Sequence, residues 1–172
     1  GPGGAAALRR HTRVRFRYQY LAGGVNTGSG WSAWNEDGTF VSRYVAESRA
    51  AKLVPVFSYY MLLQSKPGGG DEAQADLSNL RNADTMAAYW GDVRLFLRRA
   101  KGTTPVVLHV EPDLWGYVQQ AARDDDARSV PAVVPEGLPQ NAAGFAQMFV
   151  RLRDRLAPNV ILAWHLSGWG TK

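Results

Sequence analysis

Residues 106–117 read VVLHVEPDLWGY and join an apolar run to two carboxylates and two large aromatic side chains. The first five residues are mostly β-branched, which suits a buried strand, and Glu111 ends the run. A short helix is predicted directly afterwards, over 113–123. A strand that leads into a helix is the repeating unit of a parallel α/β sheet, so this stretch predicts the fold class.

Length and composition indicate one globular domain. The chain has 172 residues, of which 45% are hydrophobic and 20% charged. No apolar run reaches the ~18 residues of a membrane span, so no membrane partner is expected. The net charge of +5 does not predict nucleic-acid binding, because the Arg residues are scattered. The sequence has no cysteine, which excludes disulfides and thiol-based metal or redox chemistry.

The first residues are expected to be disordered or derived from a tag. GPGGAAA at 1–7 is of low complexity, and Gly-Pro is a common remnant of tag removal. Residues 1–12 are therefore left out of the fold prediction. Residues 13–172 are predicted to form a single half-barrel domain.

Strand-like and helix-like segments alternate along the rest of the chain. The strands are predicted at 14–21, 53–61, 105–110 and 160–166, and the helices at 39–52, 84–100, 113–123 and 141–156. Thr39 and Asn141 are predicted N-caps. The sequence KPGGGDE around 68–70 lacks the ending of a phosphate-binding loop and is predicted to be a long flexible loop.

Two parallel architectures fit this order of elements: an open doubly wound sheet and a (βα)8 barrel cut near its middle. All four predicted strands end in aromatic and polar residues, with YQY at 18–20, SYY at 58–60, HVEPD at 109–113 and WHLSGW at 164–169. A barrel places its site at that end of every strand. No dinucleotide fingerprint follows the first strand, and no cofactor is predicted. The sequence therefore favours an α/β half TIM barrel of about four parallel βα units.

Half a barrel leaves two open strand edges and one uncovered face, which favours aggregation. A complete barrel needs ~250 residues. Either the chain is a fragment of a longer barrel, or a second copy completes the surface. We predict a homodimer that buries the strand edges or the apolar face.

Glu111 and Asp113 are the first candidates for catalysis, because they follow the third predicted strand. Each has a structural alternative, since Glu111 could pair with an Arg and Asp113 could cap the next helix. Glycoside hydrolysis needs two carboxyl groups, ~5 Å or ~6.5–9.5 Å apart. The candidates for a partner to Glu111 are Asp113, Glu36, Asp37, Asp71 and Glu72. The sequence NEDGT at 35–39 also fits a turn before a helix.

Aromatic residues are frequent, with six Trp and seven Tyr. Trp rings stack on sugar rings, and neighbouring polar groups bind the hydroxyls. The candidate substrate-binding residues are Trp31, Trp34, Trp115, Trp164, Trp169, Tyr59, Tyr60, Gln19 and His165. Some of these Trp residues are expected in the core, as is Trp90. His109, Glu111 and His165 lack the spacing of a known metal motif, and no metal is predicted.

The stretch from Tyr18 to Thr171 resembles secreted bacterial glycoside hydrolases of the (βα)-barrel kind. Its most specific feature is VEPDLWGYV at 110–118, which is similar to the strand-end Glu-Pro-Asp segment of cellobiohydrolase- and endoglucanase-type cellulases with a distorted barrel. In that family the motif lines the substrate cleft. The resemblance implies a secreted enzyme acting on a β-linked glucan such as cellulose. From the residues themselves, Glu111 is the first choice for general acid/base, with Asp113, Glu36 or Asp37 as the second carboxylate. The alternative is a non-catalytic carbohydrate-binding protein or a barrel fragment.

Overall fold

The structure is a computed structural model that describes residues 15–135 and 137–170. Its elements, in chain order, are β1 (Phe16–Ala22), α1 (Thr39–Ala50), β2 (Val54–Tyr60), α2 (Glu72–Arg81), α3 (Ala83–Ala100), β3 (Val106–Val110), α4 (Leu114–Ala121), α5 (Ala142–Leu156) and β4 (Val160–Trp164). Short 3-10 turns span Ala127–Ser129 and Gly168–Gly170. The segment predicted to be disordered or tag-derived, residues 1–12, lies outside the described residues.

The four strands form one parallel sheet in the order β1-β2-β3-β4. Crossovers between parallel strands are right-handed, so a strictly sequential order puts the crossover helices on one face. A doubly wound sheet reverses its order at a switch point, and this alternative is excluded. The fold is the predicted (βα)4-like half barrel.

The hydrophobic core lies between the sheet and α1, α3 and α5. The ring of Phe57 on β2 packs against Tyr44 of α1, with ring centroids 5.1 Å apart, and against Phe96 of α3 at 5.2 Å. Tyr89 of α3 packs in turn on Phe149 of α5 at 6.2 Å. Trp90 is 2% exposed and belongs to this core, as predicted.

The other side of the sheet, which we call the open face, carries no helix among the residues that the structure describes. Strand pairing places its side chains in rows, such as Tyr18, Val56, Val107 and Ile161. The open face comprises Phe16, Tyr18, Tyr20, Val54, Val56, Ser58, Val107, His109, Ile161 and Ala163. Phe16, Tyr18, Tyr20 and Ile161 are 57%, 51%, 53% and 51% exposed. Within residues 15–135 and 137–170, these side chains therefore form an exposed apolar surface.

One helix was missed by the sequence prediction. The predicted long flexible loop contains α2, which begins two residues after Gly70 because Asp71 caps it, accepting a 2.8 Å hydrogen bond from the Gln74 N–H. Asn79 of α2 is buried and donates to the carbonyl oxygens of Leu62 (2.7 Å) and Ser65 (2.9 Å). These bonds fasten α2 to the segment that follows β2.

The predicted caps have mixed outcomes. The prediction of Asn141 as the N-cap of α5 is confirmed, because its side chain accepts a 3.0 Å hydrogen bond from the Gly144 N–H. The prediction of Thr39 as an N-cap is wrong, because Thr39 is the first helical residue of α1. The N-cap is Gly38, with a φ of +70° that glycine adopts readily. Within the described ranges, no helix has both the length and the apolar character needed to cross a bilayer.

Candidate functional site

Glu111 turns the chain sharply at the end of β3. Its N–H still donates to the Tyr59 carbonyl oxygen (2.8 Å), which extends the β2–β3 pairing by one bond. Its φ of +40° lies in the left-handed region, which costs a non-glycine residue ~1–2 kcal/mol. This turn sends the Glu111 side chain inward and lets Asp113, two residues later, emerge at the carboxyl end of the sheet.

The Glu111 carboxyl group is an interior structural group. The residue is 1% exposed, and Oε1 accepts hydrogen bonds from the Met61 N–H (3.1 Å), the Leu62 N–H (3.1 Å) and the Tyr89 hydroxyl (2.9 Å). Burial raises the pKa of Glu111 well above its usual value, helped by the negative charge of Asp76. A carboxyl enclosed in this way does not reach a polymer in solvent. The predicted role of Glu111 as first-choice general acid/base is therefore revised, and the predicted pairing with an Arg is replaced by these three bonds.

Asp113 sits at the carboxyl end of the sheet, half-buried, beside Tyr60. It does not cap α4 through its side chain, which was the structural alternative. Instead its Oδ2 accepts a 2.8 Å hydrogen bond from the Tyr60 hydroxyl. Burial and the Asp113 carboxylate raise the pKa of Tyr60, so the phenol remains a proton donor throughout the physiological range. One oxygen of Asp113 is thereby held in place.

Two further carboxyl groups come from α2. Glu72 is exposed and its Oε2 accepts a 2.8 Å hydrogen bond from the Tyr117 hydroxyl of α4. Asp76 is 1% exposed, and its Oδ1 has no hydrogen-bond partner among the described residues. Burial raises the pKa of Asp76 to about 7, with the negative charges of Asp113 and Glu72 adding to the effect. We call Tyr60, Glu72, Asp76, Asp113 and Tyr117 the rim cluster.

Three of the five rim side chains carry carboxyl groups, namely Glu72, Asp76 and Asp113. Ion pairs in the described ranges join Arg17 to Glu47, Arg128 to Asp126 and Arg153 to Asp154, and none of them includes a rim carboxylate. A buried, protonatable carboxyl beside two others is the arrangement that acid/base catalysis uses.

Two cavities flank α4, and the first of them borders the rim cluster. One, of about 470 Å3, is lined by Asp71, Glu72, Ala73, Tyr117, Gln120 and Trp169. Trp169 is 48% exposed, and its ring lies 5.1 Å from that of Tyr117. The other cavity, of about 350 Å3, is lined by Trp115, Gln119, Ala146, Trp164, His165, Leu166 and Ser167. Three predicted sugar-binding Trp residues thus lie in cavities.

Two histidines lie near the top of the open face. Nδ1 of His109 is 3.2 Å from the Ser58 hydroxyl, and the His109 and His165 rings are 5.7 Å apart. Burial lowers the pKa of His109, and the neighbouring His165 lowers it further. In the part of the chain that the structure describes, no three His, Asp or Glu side chains could hold a metal ion. His109, Glu111 and His165 therefore form no such site.

The first loop does not contribute its predicted carboxylates to the rim cluster. Oδ1 of Asp37 accepts hydrogen bonds from the Thr39 N–H (3.0 Å) and hydroxyl (2.9 Å), and these bonds lower its pKa. Arg99, in the last turn of α3, binds the Asp37 carbonyl oxygen at 2.5 Å. Asp37 and the exposed Glu36 therefore lie beside the far end of α3, and the turn-and-helix interpretation of NEDGT is correct.

Four of the predicted substrate-binding residues also lie elsewhere. Trp31 is 1% exposed and donates from Nε1 to Oδ1 of Asp92 (2.8 Å), and Tyr59 is fully buried and binds the same oxygen at 2.5 Å. Trp34 is 61% exposed in the first loop and packs on Phe40. Gln19 shares its row with Phe57 and faces the helix side.

Asp76 was missed because α2 was missed. The segment DEAQADLSNLR at 71–81 carries a good N-cap at Asp71 and apolar residues at helical spacing, namely Ala73, Leu77 and Leu80. A carboxylate at 76, beside that apolar stripe, breaks the amphipathic pattern. A charged residue within the apolar stripe of a helix is unusual, and this was the signal in the sequence that could have indicated Asp76 as a functional candidate.

Comparisons with known proteins give no family assignment. A scan against protein-family models, a search of curated proteins and a search of solved structures each found no match.

Two substitutions at Glu111 test its structural role. At pH 4, where the unfolded chain also keeps most of the Glu111 proton, Glu111→Gln keeps an acceptor oxygen for the three donors and is expected to change the free energy of unfolding by less than ~1 kcal/mol. Glu111→Leu leaves the Met61 and Leu62 N–H groups and the Tyr89 hydroxyl unsatisfied and is expected to cost ~3 kcal/mol or more. Urea unfolding measures both. A stable Glu111→Gln protein that loses all activity would restore the catalytic assignment.

Asp76→Asn is expected to stabilise the protein at alkaline pH. Between pH 3.8 and about 7 the unfolded chain releases the Asp76 proton while the folded chain retains it, so folding stability falls as pH rises through this window. Removing the carboxyl should restore up to ~4 kcal/mol at pH 8 and almost nothing at pH 4. Thermal unfolding of both proteins at the two pH values measures this. Asp154→Asn, at an exposed site, is the control, and an equal gain at both pH values would contradict the assignment.

Proposed function

We propose that this protein is a glycoside hydrolase that cleaves a β-linked glucan of the cellulose type, with the rim cluster as its catalytic site. The observation that carries the proposal is the grouping of Asp113, Glu72 and Asp76 beside aromatic cavities at the carboxyl end of a half barrel. Glycosidic bonds are cleaved by paired carboxyl groups, and sugar rings are bound on aromatic faces.

Asp113 is assigned as the general acid. It is the rim carboxyl that follows β3 directly, and it is accessible from solvent. The Tyr60 hydroxyl holds Oδ2, which leaves Oδ1 to contact the glycosidic oxygen. A fixed rotamer with one committed oxygen places the acid for proton transfer to the leaving group.

Glu72 is assigned as the second carboxylate, and Asp76 as a positioning residue. Glu72 is exposed and oriented by Tyr117, so it can contact a sugar or a water molecule. Asp76 is buried and does not reach the substrate. With a pKa of about 7 it is largely protonated in mildly acidic solution, which limits the negative charge beside Asp113 and Glu72.

The aromatic residues supply binding surface on both sides of α4. Trp169 and Tyr117 form one wall of the larger cavity next to Glu72, which places a potential sugar platform beside a carboxylate. Trp164 and Trp115 line the smaller cavity. An extended polysaccharide has several sugar units to bind, so separated aromatic subsites suit it better than a small molecule.

Asp113→Asn should abolish turnover without abolishing binding. The amide keeps the shape and can still bond to Tyr60, but it has no proton to transfer. Hydrolysis of a panel of β-glucans by the purified protein should fall by at least ~10²-fold, while affinity for the same glucan stays within a few-fold. The control is Asp154→Asn, whose carboxylate pairs with Arg153 on α5.

The same experiment separates an enzyme from a carbohydrate-binding protein. Binding of a glucan without turnover by the unmodified chain, unchanged in Asp113→Asn, would establish the non-catalytic alternative. Absence of both binding and turnover across the panel would refute the glycan proposal altogether.

Trp169→Ala should weaken glucan binding through loss of the aromatic platform. Stacking on an aromatic face contributes ~1–2 kcal/mol, so the dissociation constant should rise by about ten-fold. Trp34→Ala is the matched control, because Trp34 is similarly exposed but lies on the first loop. Isothermal titration with a soluble oligosaccharide measures both. Equal losses in the two variants would contradict the placement of the sugar site.

A further inference from the structure

The larger of the two cavities beside α4, which we call the acidic cavity, is lined by acceptor groups and aromatic faces. It has a volume of about 470 Å3, and its lining residues are Asp71, Glu72, Ala73, Tyr117, Gln120 and Trp169. Two of these residues are acidic and none is basic. The whole chain has a net charge of +5, so the negative charge of this cavity is a local feature.

The hydrogen bonds within the cavity wall use its donors and leave acceptors. The Tyr117 hydroxyl donates to Oε2 of Glu72 at 2.8 Å, and Nε2 of Gln120 donates to the Trp169 carbonyl oxygen at 3.3 Å. Asp71 uses Oδ1 to cap α2. Among the described residues, these bonds leave Oε1 of Glu72 and Oδ2 of Asp71 for a ligand.

Asp76 adds a buried carboxyl group behind the cavity wall. It follows Glu72 by four residues, which places both side chains on the same face of α2. Asp76 is 1% exposed, and its Oδ1 has no hydrogen-bond partner among the described residues. A buried carboxyl group is normally bonded or paired, and a positive charge held in front of the wall would stabilise it.

The charges that act on this part of the molecule are negative. Burial raises the pKa of Tyr117, as does its hydrogen bond to Glu72, and the charges of Glu72, Asp113 and Asp76 raise it further. Burial also raises the pKa of Asp76, and Asp113 and Glu72 add to the effect. Within the described ranges, no positive charge acts on either group. The position is therefore electrostatically favourable for a cation.

We infer that the acidic cavity binds a protonated amino group on a sugar unit, so that the substrate is a β-linked glucan with amino groups, such as a glucosamine polymer. This inference rests on the proposed glycan site and specifies its substrate class. An ammonium group has three donors and no acceptor, which matches the free oxygens of Asp71 and Glu72. The rings of Trp169 and Tyr117 also attract a cation within ~6 Å of their centroids.

The shape of the acidic cavity suits a sugar ring that bears the ammonium group. Trp169 is 48% exposed, and its ring lies 5.1 Å from that of Tyr117, so it presents a flat face to the apolar side of a sugar. The volume is in the range of small-molecule sites and exceeds what an ammonium group alone fills.

The position of the amino group also fits the proposed chemistry. In glucosamine the amino group is on C2, next to the anomeric carbon whose bond a hydrolase cleaves. An ammonium group bound at Glu72 therefore brings the anomeric carbon to the proposed second carboxylate.

Three tetramers with the same β-1,4-linked backbone test the inference by isothermal titration. They carry an ammonium group (glucosamine), a hydroxyl group (cellotetraose) or an acetamide group (N-acetylglucosamine) on C2. In mildly acidic solution, where the amine is protonated, the glucosamine tetramer should bind at least ~10-fold more tightly than the other two. This preference should largely disappear in ~1 M NaCl, where the screening length is ~3 Å.

Two isosteric substitutions locate the preference in the acidic cavity. Asp71→Asn keeps a capping side chain for α2, and Glu72→Gln keeps an acceptor for Tyr117, but each removes one negative charge. Each should reduce the preference for the glucosamine tetramer over cellotetraose by about five-fold, and the double variant should abolish it. Asp154→Asn removes the same charge from an exposed site on α5 and should leave the preference unchanged.

Three results would overturn the inference. The first is equal affinity of the unmodified chain for the glucosamine tetramer and cellotetraose, including no binding of either. The second is a preference that persists in the double variant, which would place the charges elsewhere. The third is tighter binding of tetralysine than of the glucosamine tetramer, which would make the cavity a site for cationic peptides.

The same tetramers judge the proposed activity separately, because binding is measured without turnover. Hydrolysis of cellotetraose without any preference for the amino sugar would refute this inference alone. Preferential binding of the glucosamine tetramer without hydrolysis of any tetramer would refute the proposed hydrolase activity alone.

Discussion

The buried carboxyl group of Glu111 sets the relative positions of the ends of β2 and β3. It is bonded to the two N–H groups that follow β2 and to Tyr89 of α3, while its own N–H is bonded to β2. Because Tyr60 and Asp113 each lie within two residues of these bonds, their hydrogen bond follows from the same arrangement. A left-handed backbone at a residue other than glycine persists only where the surroundings over-determine it, and here they do.

The sheet and most of the helices could be predicted from sequence periodicity. The β-branched runs and the amphipathic stripe of α3 each specify one structure, because local preference and burial agree. The helix α2 was not predicted, because its local preference and its burial pattern do not agree. Its start is preceded by three glycines, and its inner face carries Asp76 and Asn79, so its hydrophobic pattern is interrupted by polar groups. The energy that stabilises α2 comes partly from buried hydrogen bonds of Asn79, which periodicity does not register.

The candidate site was predictable as a location but not as a set of roles. Parallel strands bring their carboxyl ends to one edge, and this placed Tyr60, Asp113, Trp164 and His165 together in advance. Glu111 and Asp113 are separated by one proline, and only Glu111 turns inward. This difference depends on the φ angle of Glu111, which no pattern of residue types predicts. The sequence also does not show which aromatic residues are exposed and which are buried. Trp169 is exposed and Trp31 is buried, and only their neighbours in the structure distinguish them.

Two features of the described chain reduce its stability. A buried carboxyl at position 76 opposes folding above about pH 4, and an apolar sheet face in water gains nothing from the hydrophobic effect. Buried polar atoms of Asp92, Thr104 and Ser167 also lack a hydrogen-bond partner among the described residues, but Asp76 is the one whose pKa is raised by two neighbouring carboxylates, Asp113 and Glu72. In the proposed enzyme, an Asp76 that stays protonated in mildly acidic solution would limit the negative charge beside Asp113 and Glu72, so its cost to folding stability would serve the site.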